Sequence, residues 1–416
     1  MAKKEKHNVI VGQSGGPTAA INSSLAGVYC TAIKRGYKKV YGMVHGIQGL
    51  LDKRVVDLSE HIEDELDVEL LKRTPSAYLG SCRFKMPEIN EGKEVYEKLF
   101  QILEELEIDV FIYIGGNDSM DTIKKCSDYA IITGSQIKFV GCPKTIDNDL
   151  ALTDHTPGFG SAAKYIATSV KEIIRDCWCL EIKGGQVVII EVMGRNAGWL
   201  TGATALAKGE DCEGPDLIYL PELPFDVDGF VAKCEKLLKE KSSVVVAVSE
   251  GIKTADGKYV SELGSASEYV DAFGHKQLSG TATYLANLIA SKLGCKTRAV
   301  EFSTLQRAAS HCTSRVDLKE SYQCGQAAVK AADEGDSGKM VCIIRTSDDP
   351  YASTTAINDV HKIANEEKVV PREWINKDGD YVTDTFLEYV RPLIQGELDP
   401  IMVNGLPRHL QKGIQL

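Results

Sequence analysis

Residues 137–149 read Ile-Lys-Phe-Val-Gly-Cys-Pro-Lys-Thr-Ile-Asp-Asn-Asp, an apolar run that passes directly into a polar turn. The apolar run predicts a buried strand. The turn places one cation (Lys144), one hydroxyl (Thr145) and two carboxylates (Asp147 and Asp149) at the carboxyl end of that strand, where open α/β sheets bind ligands. The same residue types are typical of a solvated Asp/Asn turn that only starts a loop. Other parts of the chain are needed to choose between these two interpretations.

The chemistry available to this turn suits the transfer of a phosphoryl group to an alcohol. That reaction needs a carboxylate to take the hydroxyl proton and a cation to stabilise the charge on the moving phosphoryl oxygens. The turn supplies both, so as a binding turn it predicts phosphoryl-transfer chemistry.

Strand and helix patterns alternate along most of the chain. Helix 91–106 is the clearest, because its apolar residues recur at three- and four-residue steps and share one face. Further strands are predicted at 8–11, 39–44, 109–114, 186–192, 216–220, 243–248 and 340–344, and further helices at 18–35, 119–130, 354–367 and 384–394. Short apolar strands separated by amphipathic helices are typical of parallel sheets covered on both faces. The sequence therefore predicts an α/β fold.

Composition sets limits on the class of protein. The chain has 416 residues, enough for two ordinary domains, and no apolar run approaches the ~20 residues of a membrane span. Its charged start leads straight into a strand, so we expect no signal peptide. A net charge of −11 argues against a general nucleic-acid binder. The 12 cysteines are scattered without a Cys-x-x-Cys pair, so we expect the free thiols of a cytoplasmic protein.

Three glycine-rich turns, at 11–18, 115–121 and 193–199, follow predicted strands and precede predicted helices. Each is expected to present backbone N–H groups at a helix N-terminus, where the helix dipole favours an anion. One such turn alone is equally consistent with a structural role, but three of them beside the aspartate turn predict a phosphate ligand. Walker A spacing is absent, and Gly158-Phe-Gly160 is discounted as a dinucleotide fingerprint because Pro157 precedes it rather than a strand.

Other charged positions add to this prediction. Arg83 lies in the basic loop Gly80-Ser-Cys-Arg-Phe-Lys85, and Glu250 follows the apolar strand at 243–248. Arg298 and Arg307 flank the stretch Ala-Val-Glu-Phe-Ser-Thr-Leu-Gln. A single arginine is more typical of the solvated surface, yet arginine is also the preferred bidentate ligand for phosphate.

Together these motifs resemble the 6-phosphofructokinase family. They occur in the family's order and cover roughly residues 8–345. The motifs that carry the resemblance are Gly15-Gly-Pro, Gly80-Ser-Cys-Arg83, Gly115-Gly-Asn-Asp-Ser119, Pro143–Asp149, Met193-Gly-Arg195, Ser249-Glu-Gly251 and Leu305-Gln-Arg307. The resemblance implies the phosphofructokinase fold, with two Rossmann-like three-layer lobes and mostly parallel sheets.

Two positions resemble the pyrophosphate-dependent branch. ATP-dependent members normally have glycine where this chain has Asp118, and usually glycine where it has Lys144. A carboxylate at 118 would occupy and repel the α-phosphate of a nucleotide, whereas an ammonium group at 144 would neutralise pyrophosphate. The resemblance thus implies reversible phosphoryl transfer from pyrophosphate to the 1-hydroxyl of fructose 6-phosphate, in glycolysis and gluconeogenesis. An ATP-dependent enzyme and a non-catalytic regulatory subunit of the family are the alternatives.

Residue roles follow from the resemblance by position. It implies Asp147 as the general base, with Lys144, Asp118 and Arg195 as further catalytic residues. The implied pyrophosphate ligands are Gly15, Gly16, Arg83, Gly116, Asp118, Ser119 and Lys144. The implied sugar-phosphate ligands are Thr145, Ile146, Asp147, Asp149, Met193, Gly194, Arg195, Glu250, Arg298 and Arg307. The implied metal is Mg²⁺, near Asn117.

The resemblance also implies the organisation of the chain and some departures from the family pattern. It implies a pyrophosphate lobe of residues 1–158 plus about 306–360, a sugar-phosphate lobe of 159–305 plus about 361–416, and a homodimer or homotetramer whose sites are shared between subunits. Asn117 replaces an aspartate, and its amide is a weaker Mg²⁺ ligand than a carboxylate. Gln186 and Thr304 stand where relatives often have Arg and His. The stretch 273–280, with His275, looks like an insertion of longer members.

Overall fold

The computed structural model describes residues 6–180, 182–264 and 280–411. The chain divides into two compact units. Unit 1 comprises Met1–Ser161, Arg307–Glu367 and Gln395–Leu416, and unit 2 comprises Ala162–Gln306 and Lys368–Ile394. None of the helices in the described ranges combines the length and apolar character needed to span a lipid bilayer.

The strands of the described residues are β1 Asn8–Gln13, β2 Lys39–Met43, β3 Val55–Asp57, β4 Ile108–Gly115, β5 Lys138–Pro143, β6 Gln186–Val192, β7 Leu217–Tyr219, β8 Ser243–Ser249, β9 Lys296–Glu301, β10 Lys339–Asp348, β11 Tyr351–Asp359, β12 Met402–Val403 and β13 Leu406–Pro407. The α-helices are α1 Ile21–Lys34, α2 Gly46–Leu51, α3 Glu65–Arg73, α4 Lys93–Glu105, α5 Asn117–Thr133, α6 Phe159–Trp178, α7 Trp199–Gly202, α8 Val227–Leu238, α9 Thr281–Leu293, α10 Leu305–Ala308, α11 Arg315–Glu334 and α12 Asp384–Val390.

Unit 1 is built on a seven-stranded sheet in the order β11-β10-β5-β4-β1-β2-β3. The five inner strands run parallel, and the edge strands β11 and β3 are antiparallel to their neighbours. Successive side chains of β1 enter different cores, with Val9 and Val11 on one side and Ile10 on the other. Both faces of the sheet are therefore buried, as strands with near-continuous apolar sequence require.

Helices cover both faces of this sheet. Helices α1 and α11 pack on the face that contains Val9. Their close approach requires glycine at position 27, since a Cβ on Gly27 would lie 2.1 Å from the Tyr322 carbonyl oxygen. Helices α4 and α5 cover the opposite face, where Leu99 and Ile123 join the core. The result is a helix–sheet–helix arrangement, which confirms the predicted α/β class.

Unit 2 has a four-stranded, fully parallel sheet in the order β7-β8-β6-β9. Helices α8 and α9 supply Phe230 and Leu285 to a core shared with Val187 and Val246 of the sheet. The segment Lys368–Ile394 joins this unit through an aromatic cluster, in which the Trp199 ring stacks on Phe386 with 6.0 Å between centroids. Parallel strands again end together at one edge of the sheet.

One prediction of secondary structure is wrong. Residues 354–367 were expected to be helical, but β11 runs over Tyr351–Asp359 and pairs antiparallel with β10. The stretch Ser353-Thr-Thr355 is rich in β-branched residues, which favour strands. Pairing along β10 satisfies the backbone groups of this stretch, which a surface helix would have to satisfy internally. The other prediction in this part of the chain, a helix at 384–394, is confirmed by α12 and the 3₁₀ turn Arg391–Ile394.

The end of the chain packs differently from the expected lobe division. From the sequence, 361–416 is expected to lie in the sugar-phosphate lobe, whereas Gln395–Leu416 belongs to unit 1. Arg73 Nε donates to the Asp399 carbonyl at 2.9 Å, and Leu410 N–H donates to Thr74 Oγ1 at 2.9 Å. Leu410 also joins the core on the α1 side. These long-range contacts leave no local signal in the sequence.

Candidate active site

The carboxyl ends of β1, β4 and β5 lie side by side at one edge of the unit 1 sheet, because these strands are parallel neighbours. Ser14 N–H donates to the Ile114 carbonyl at 3.0 Å, and Lys144 N–H donates to the Gly115 carbonyl at 3.0 Å. The strand order also reverses here, since β1 has β2 on one side and β4 on the other. Open α/β sheets bind ligands at such a switch point. Three of the four predicted binding turns therefore meet in unit 1.

The turn after β1 is built from glycine and tied to the basic loop. Gly15 has a φ of 76°, a left-handed conformation that favours glycine. Its N–H donates to the Cys82 carbonyl at 3.1 Å, and Ser81 Oγ donates to the Gly15 carbonyl at 2.6 Å. These bonds attach the loop that carries the exposed Arg83 to this turn.

The Lys144 side chain is buried and lies against the glycines of that turn. Its Nζ donates to the Gly16 carbonyl at 2.7 Å, and a Cβ on Gly15 would lie 3.3 Å from the same Nζ. A Cβ on Gly16 would lie 3.5 Å from Nη1 of Arg307. The cationic side chains of Lys144 and Arg307 thus lie beside two glycines, whose backbone is not covered by side chains of their own. An anion can approach both the charges and the backbone at this point.

The pKa of Lys144 depends on its burial and on the charged groups around it. Burial lowers the pKa of Lys144 to about 8. The carboxylates of Asp147 and Asp149 oppose this lowering of the pKa, and the guanidinium groups of Arg307 and Arg83 add to it. Three cations and two carboxylates therefore share one electrostatic environment in unit 1. Such a mixture suits a polyanion that arrives with a divalent cation.

The two carboxylates of the turn are half-buried and crowd one another. Burial and, after it, the nearby Asp147 carboxylate together raise the pKa of Asp149 to about 7. Thr145 Oγ1 accepts a hydrogen bond from Asp147 N–H at 3.1 Å, which sets the shape of the turn. A nearby cation would relieve the repulsion between the carboxylates.

Helix α5 begins immediately after β4. Gly116 is its N-cap and provides no side-chain hydrogen bond to the first turn. Asp118 lies in that first turn, where the helix dipole stabilises its negative charge. Ser119 packs against the end of β4, since a Cβ on Gly115 would lie 1.9 Å from Ser119 Oγ. The N-terminus of α5 thus carries a carboxylate.

The donor set of unit 1 fits a divalent metal. Within the described part of the chain, Asn117 Oδ1 is buried without a hydrogen-bond partner, and the carboxylates of Asp147 and Asp149 repel each other. No group of three His, Cys, Asp or Glu side chains among the described residues could hold a metal by itself. Ions such as Mg²⁺ are often held by one or two carboxylates together with substrate phosphates. Asp147, Asp149 and Asn117 supply oxygen donors of this type.

Unit 2 contains a second cluster at the carboxyl ends of β6 and β8. Met193 N–H donates to Gln306 Oε1 at 3.1 Å, and Gly194 N–H donates to Glu250 Oε1 at 3.4 Å. A Cβ on Gly251 would lie 1.9 Å from the Arg195 carbonyl oxygen, so only glycine fits there. The structure thus brings Met193, Gly194, Arg195 and Glu250 together.

The third glycine-rich turn differs from its prediction. Its N–H groups at Met193 and Gly194 are used by Gln306 and Glu250, and α7, which follows it, is only Trp199–Gly202. A helix of this length has almost no dipole to offer an anion. Anion binding in this part of unit 2 would depend on side chains, of which Arg195 is the nearest cation in sequence.

Arg298 lies apart from the other predicted sugar-phosphate ligands of unit 2. It is exposed on β9, where it pairs in register with Val188, five residues before Met193 in the neighbouring strand. Its Nη1 lies 3.6 Å from Asp176 Oδ2. Arg307 belongs to unit 1, beside Gly16.

One departure from the family pattern and one discounted motif have structural explanations. Gln186 is buried, and its Nε2 donates to Ser243 Oγ at 3.0 Å, so this side chain links β6 to β8. Gly158 N–H donates to the Asp317 carboxylate at 2.8 Å. A carboxylate therefore occupies the start of α6, which agrees with discounting Gly158-Phe-Gly160 as a phosphate fingerprint. His275 lies outside the described residues.

Sequence reasoning missed the residues that support the aspartate turn. Asn148 has a φ of 55°, and its buried Oδ1 accepts from Thr156 N–H at 3.1 Å. Thr156 Oγ1 donates to the Thr145 carbonyl at 2.7 Å. The only local signal is the Asn in a tight turn, because asparagine tolerates the left-handed region better than most residues.

Comparison with known proteins agrees with this geometry. The family model described as Phosphofructokinase matches residues 8–332. The pyrophosphate–fructose 6-phosphate 1-phosphotransferase of Halomonas elongata is 40% identical over 405 residues, which are 97% of this chain and 95% of that protein.

Solved structures are similar over the same span. The crystal structure of pyrophosphate-dependent phosphofructokinase from Nitrosospira multiformis has a TM-score of 0.87 and 37% identity, covering 97% of this chain and 96% of that one. The corresponding structure from Marinobacter aquaeolei has a TM-score of 0.86 and 36% identity, covering 99% and 97%. With the motifs in family order and the match spanning most of the chain, this protein belongs to the phosphofructokinase family.

Proposed function

We propose that this protein transfers a phosphoryl group from pyrophosphate to the 1-hydroxyl of fructose 6-phosphate, giving fructose 1,6-bisphosphate and phosphate, in either direction. The observation that carries the proposal is the buried Lys144 ammonium, which lies against the Gly15–Gly16 turn beside two carboxylates. The names of the relatives that are 40% identical over nearly the whole chain support the same reaction.

In this proposal unit 1 holds the phosphoryl donor. Lys144 and Arg83 supply positive charge, and the turns after β1 and β4 supply backbone N–H groups. Asp118 excludes nucleotides, because a carboxylate in the first turn of α5 repels a second phosphate ester at that place. The full set of proposed pyrophosphate ligands is Gly15, Gly16, Arg83, Gly116, Asp118, Ser119 and Lys144.

The acceptor is activated by Asp147. Its carboxylate takes the proton of the sugar 1-hydroxyl as the oxygen attacks phosphorus, and Lys144 stabilises the charge on the transferred group. Thr145, Ile146 and Asp149 shape the turn around the acceptor. Met193, Gly194, Arg195 and Glu250 of unit 2 bind the sugar phosphate, Arg195 through charge and Glu250 through the sugar hydroxyls. Arg307 contacts a substrate phosphate beside Gly16.

The metal in this proposal is Mg²⁺, which when bound neutralises phosphate oxygens during transfer. Asp147, Asp149 and the Asn117 amide oxygen are the residues that would hold it, directly or through water, with substrate phosphates completing the coordination. Asn117 Oδ1 supports this role, since a buried acceptor without a partner among the described residues is rare.

We also propose a cytoplasmic homodimer or homotetramer with sites shared between subunits. The position of Arg298 supports sharing, because it is exposed on β9 and distant in register from the Met193 turn of its own unit. An arginine placed in this way can bind a substrate phosphate held by another subunit. A chain rich in cysteine thiols is typical of a reducing compartment.

A donor-exchange assay tests the function. Purified protein is given fructose 6-phosphate with either pyrophosphate or ATP, and fructose 1,6-bisphosphate is measured with a coupled assay. We expect turnover with pyrophosphate and at least about 10³-fold lower kcat/KM with ATP, because a misplaced charge in a site costs several kcal/mol. Strong activity with ATP alone would refute the assignment of the donor. The double variant Asp118→Gly, Lys144→Gly should lose turnover with pyrophosphate, whether or not it gains ATP use.

A further inference from the structure

A buried histidine in unit 1 lies between two carboxylates close to the aspartate turn. The side chain of His155 is 2% exposed. Its Nδ1 lies 2.8 Å from Asp154 Oδ2, and its Nε2 lies 2.7 Å from Glu320 Oε2. An ionised carboxylate only accepts hydrogen bonds, and a neutral imidazole carries only one N–H. Both contacts are therefore satisfied at once only by the imidazolium form.

The groups around this histidine hold it in that form. The carboxylates of Asp154 and Glu320 outweigh the effect of burial and raise the pKa of His155. From β10, the Arg345 guanidinium donates to Asp154 Oδ2 at 3.1 Å. From β11, Tyr351 OH donates to Glu320 Oε1 at 2.6 Å.

Two further groups complete the electrostatic environment. Ser353 Oγ of β11 donates to Glu320 Oε1 at 2.5 Å. Asp317 lies one turn before Glu320 on α11, and burial raises the pKa of its carboxyl, with Glu320 adding to the shift. The imidazolium thus contacts two carboxylates, and each of them also accepts a hydrogen bond from another side chain.

The segment 153–158, here named the strap, connects this network to the aspartate turn. Thr153 Oγ1 accepts from Ile343 N–H at 2.9 Å, which attaches the start of the strap to β10. Thr156 Oγ1 donates to the Thr145 carbonyl, Thr156 N–H donates to Asn148 Oδ1, and Thr145 N–H donates to the Pro157 carbonyl at 3.1 Å. His155 lies directly before the residue that makes two of these bonds. Movement of its ring would therefore displace the strap under the turn that carries Asp147.

We propose that His155 is a positioning residue for catalysis: its imidazolium, held between Asp154 and Glu320, fixes the strap and thereby the conformation of the turn that presents Asp147. The inference rests on the proposed role of Asp147 as general base. The left-handed backbone at Asn148 is the part of the turn that most needs this support, since such a conformation persists only where its surroundings hold it.

The consequence is a dependence of turnover on the charge of His155. A raised pKa keeps the imidazolium present at neutral pH and loses it only as the pH rises through that raised value. Removing one carboxylate should lower the pKa of His155, because burial alone disfavours the cation. The loss of turnover should then begin at a lower pH, with substrate binding unchanged.

The first measurement follows the histidine itself. In protein labelled with ¹⁵N-histidine, the His155 ring nitrogens should remain those of an imidazolium from pH 6 to 8 without substrate; their signals are identified by comparison with Glu320→Gln and Asp154→Asn. In Glu320→Gln they should titrate within that range. A wild-type His155 that is neutral at pH 7 would overturn the proposal. Because no turnover is needed, this result is independent of whether the proposed reaction occurs.

The second measurement is the pH profile of kcat under saturating substrates. Glu320→Gln should move the alkaline loss of kcat to lower pH and reduce kcat about tenfold at pH 8, with both KM values within about twofold of wild type. Tyr351→Phe is the matched control, since it removes a hydrogen bond to Glu320 and leaves every charge at neutral pH in place; its profile should match wild type. If Glu320→Gln does not fold, Asp154→Asn makes the same comparison. An unchanged kcat profile in a variant whose His155 titration has moved would show that the network does not position Asp147.

Discussion

Asp147 is half-buried in the turn after β5, and its own N–H donates to Thr145 Oγ1 at 3.1 Å. This bond holds the backbone of the turn that presents the Asp147 carboxylate. We expect Asp147→Asn to lower kcat by about two to four decades, the usual effect of losing a general base. A coupled assay with pyrophosphate measures this. Asp52→Asn, an exposed position, is the matched control and should keep full turnover. Full turnover in Asp147→Asn would mean that another group is the base.

Lys144 makes a pH-dependent prediction. Burial lowers its pKa to about 8, so the free enzyme loses this cation as the pH rises through that value. We expect kcat/KM for pyrophosphate to fall about tenfold per pH unit above 8, since kcat/KM reports the ionisation of free enzyme. Lys144→Arg keeps its charge at that pH and should therefore remove the part of the decline in kcat/KM that begins near pH 8, even if its overall activity is lower. A wild-type profile that stays flat to pH 9.5 would contradict a role for the ammonium form.

Two helices whose first residues belong to unit 1 begin in opposite ways. Helix α5 starts at Gly116 without a side-chain cap, next to the turns proposed to bind pyrophosphate. Helix α6 has its start occupied by Asp317 of α11, which accepts from Gly158 N–H at 2.8 Å and from Ser161 N–H at 3.0 Å. A carboxylate at that place satisfies the helix N–H groups and repels phosphate. Only the first of these helices is therefore suited to an anionic ligand.

We expect Asp317→Ala to destabilise the protein by about 2–4 kcal/mol, because it leaves buried N–H groups without partners. Unfolding by urea, followed by circular dichroism, measures this change. Asp226→Ala is the matched control: Asp226 is the N-cap of α8 and accepts from Gly229 N–H at 3.0 Å at an exposed site. Its loss should cost only about 1 kcal/mol. Equal effects of the two substitutions would show that the Asp317 contact contributes no more than an ordinary cap.

The proposal of shared sites makes a prediction that is tested by mixing two variants in one oligomer. If sites are shared between subunits, Arg298→Ala and Asp147→Asn each inactivate every site of a homo-oligomer through different subunits. A hybrid of the two variants then contains one site with both residues intact. We expect co-refolded or co-expressed mixtures to regain about a quarter of wild-type activity, as random pairing into dimers predicts. Mixtures that stay as inactive as the separate variants, or a protein that is monomeric by light scattering, would contradict shared sites.

The sequence by itself determined the α/β class and most of the local chemistry. Periodicity located the strands and helices because a strand buried on both faces must be largely apolar, as Val9–Val11 of β1 and Val187–Ile190 of β6 are. It also located the aspartate turn and its cation, since charged residues directly after an apolar run are visible in the chain. It misassigned 354–367, where the β-branched Thr354 and Thr355 favour the strand that pairs with β10.

Only the tertiary structure decided how distant residues support those motifs. The packing of the tail against Thr74, the Asp317 carboxylate at the start of α6 and the contact of His155 with Glu320 all join residues more than 150 positions apart. The burial that shifts the pKa of Lys144 and Asp149 is likewise a property of the folded chain. Spacing and periodicity describe local backbone geometry, whereas burial and long-range hydrogen bonds exist only after the strands have been ordered in the sheet.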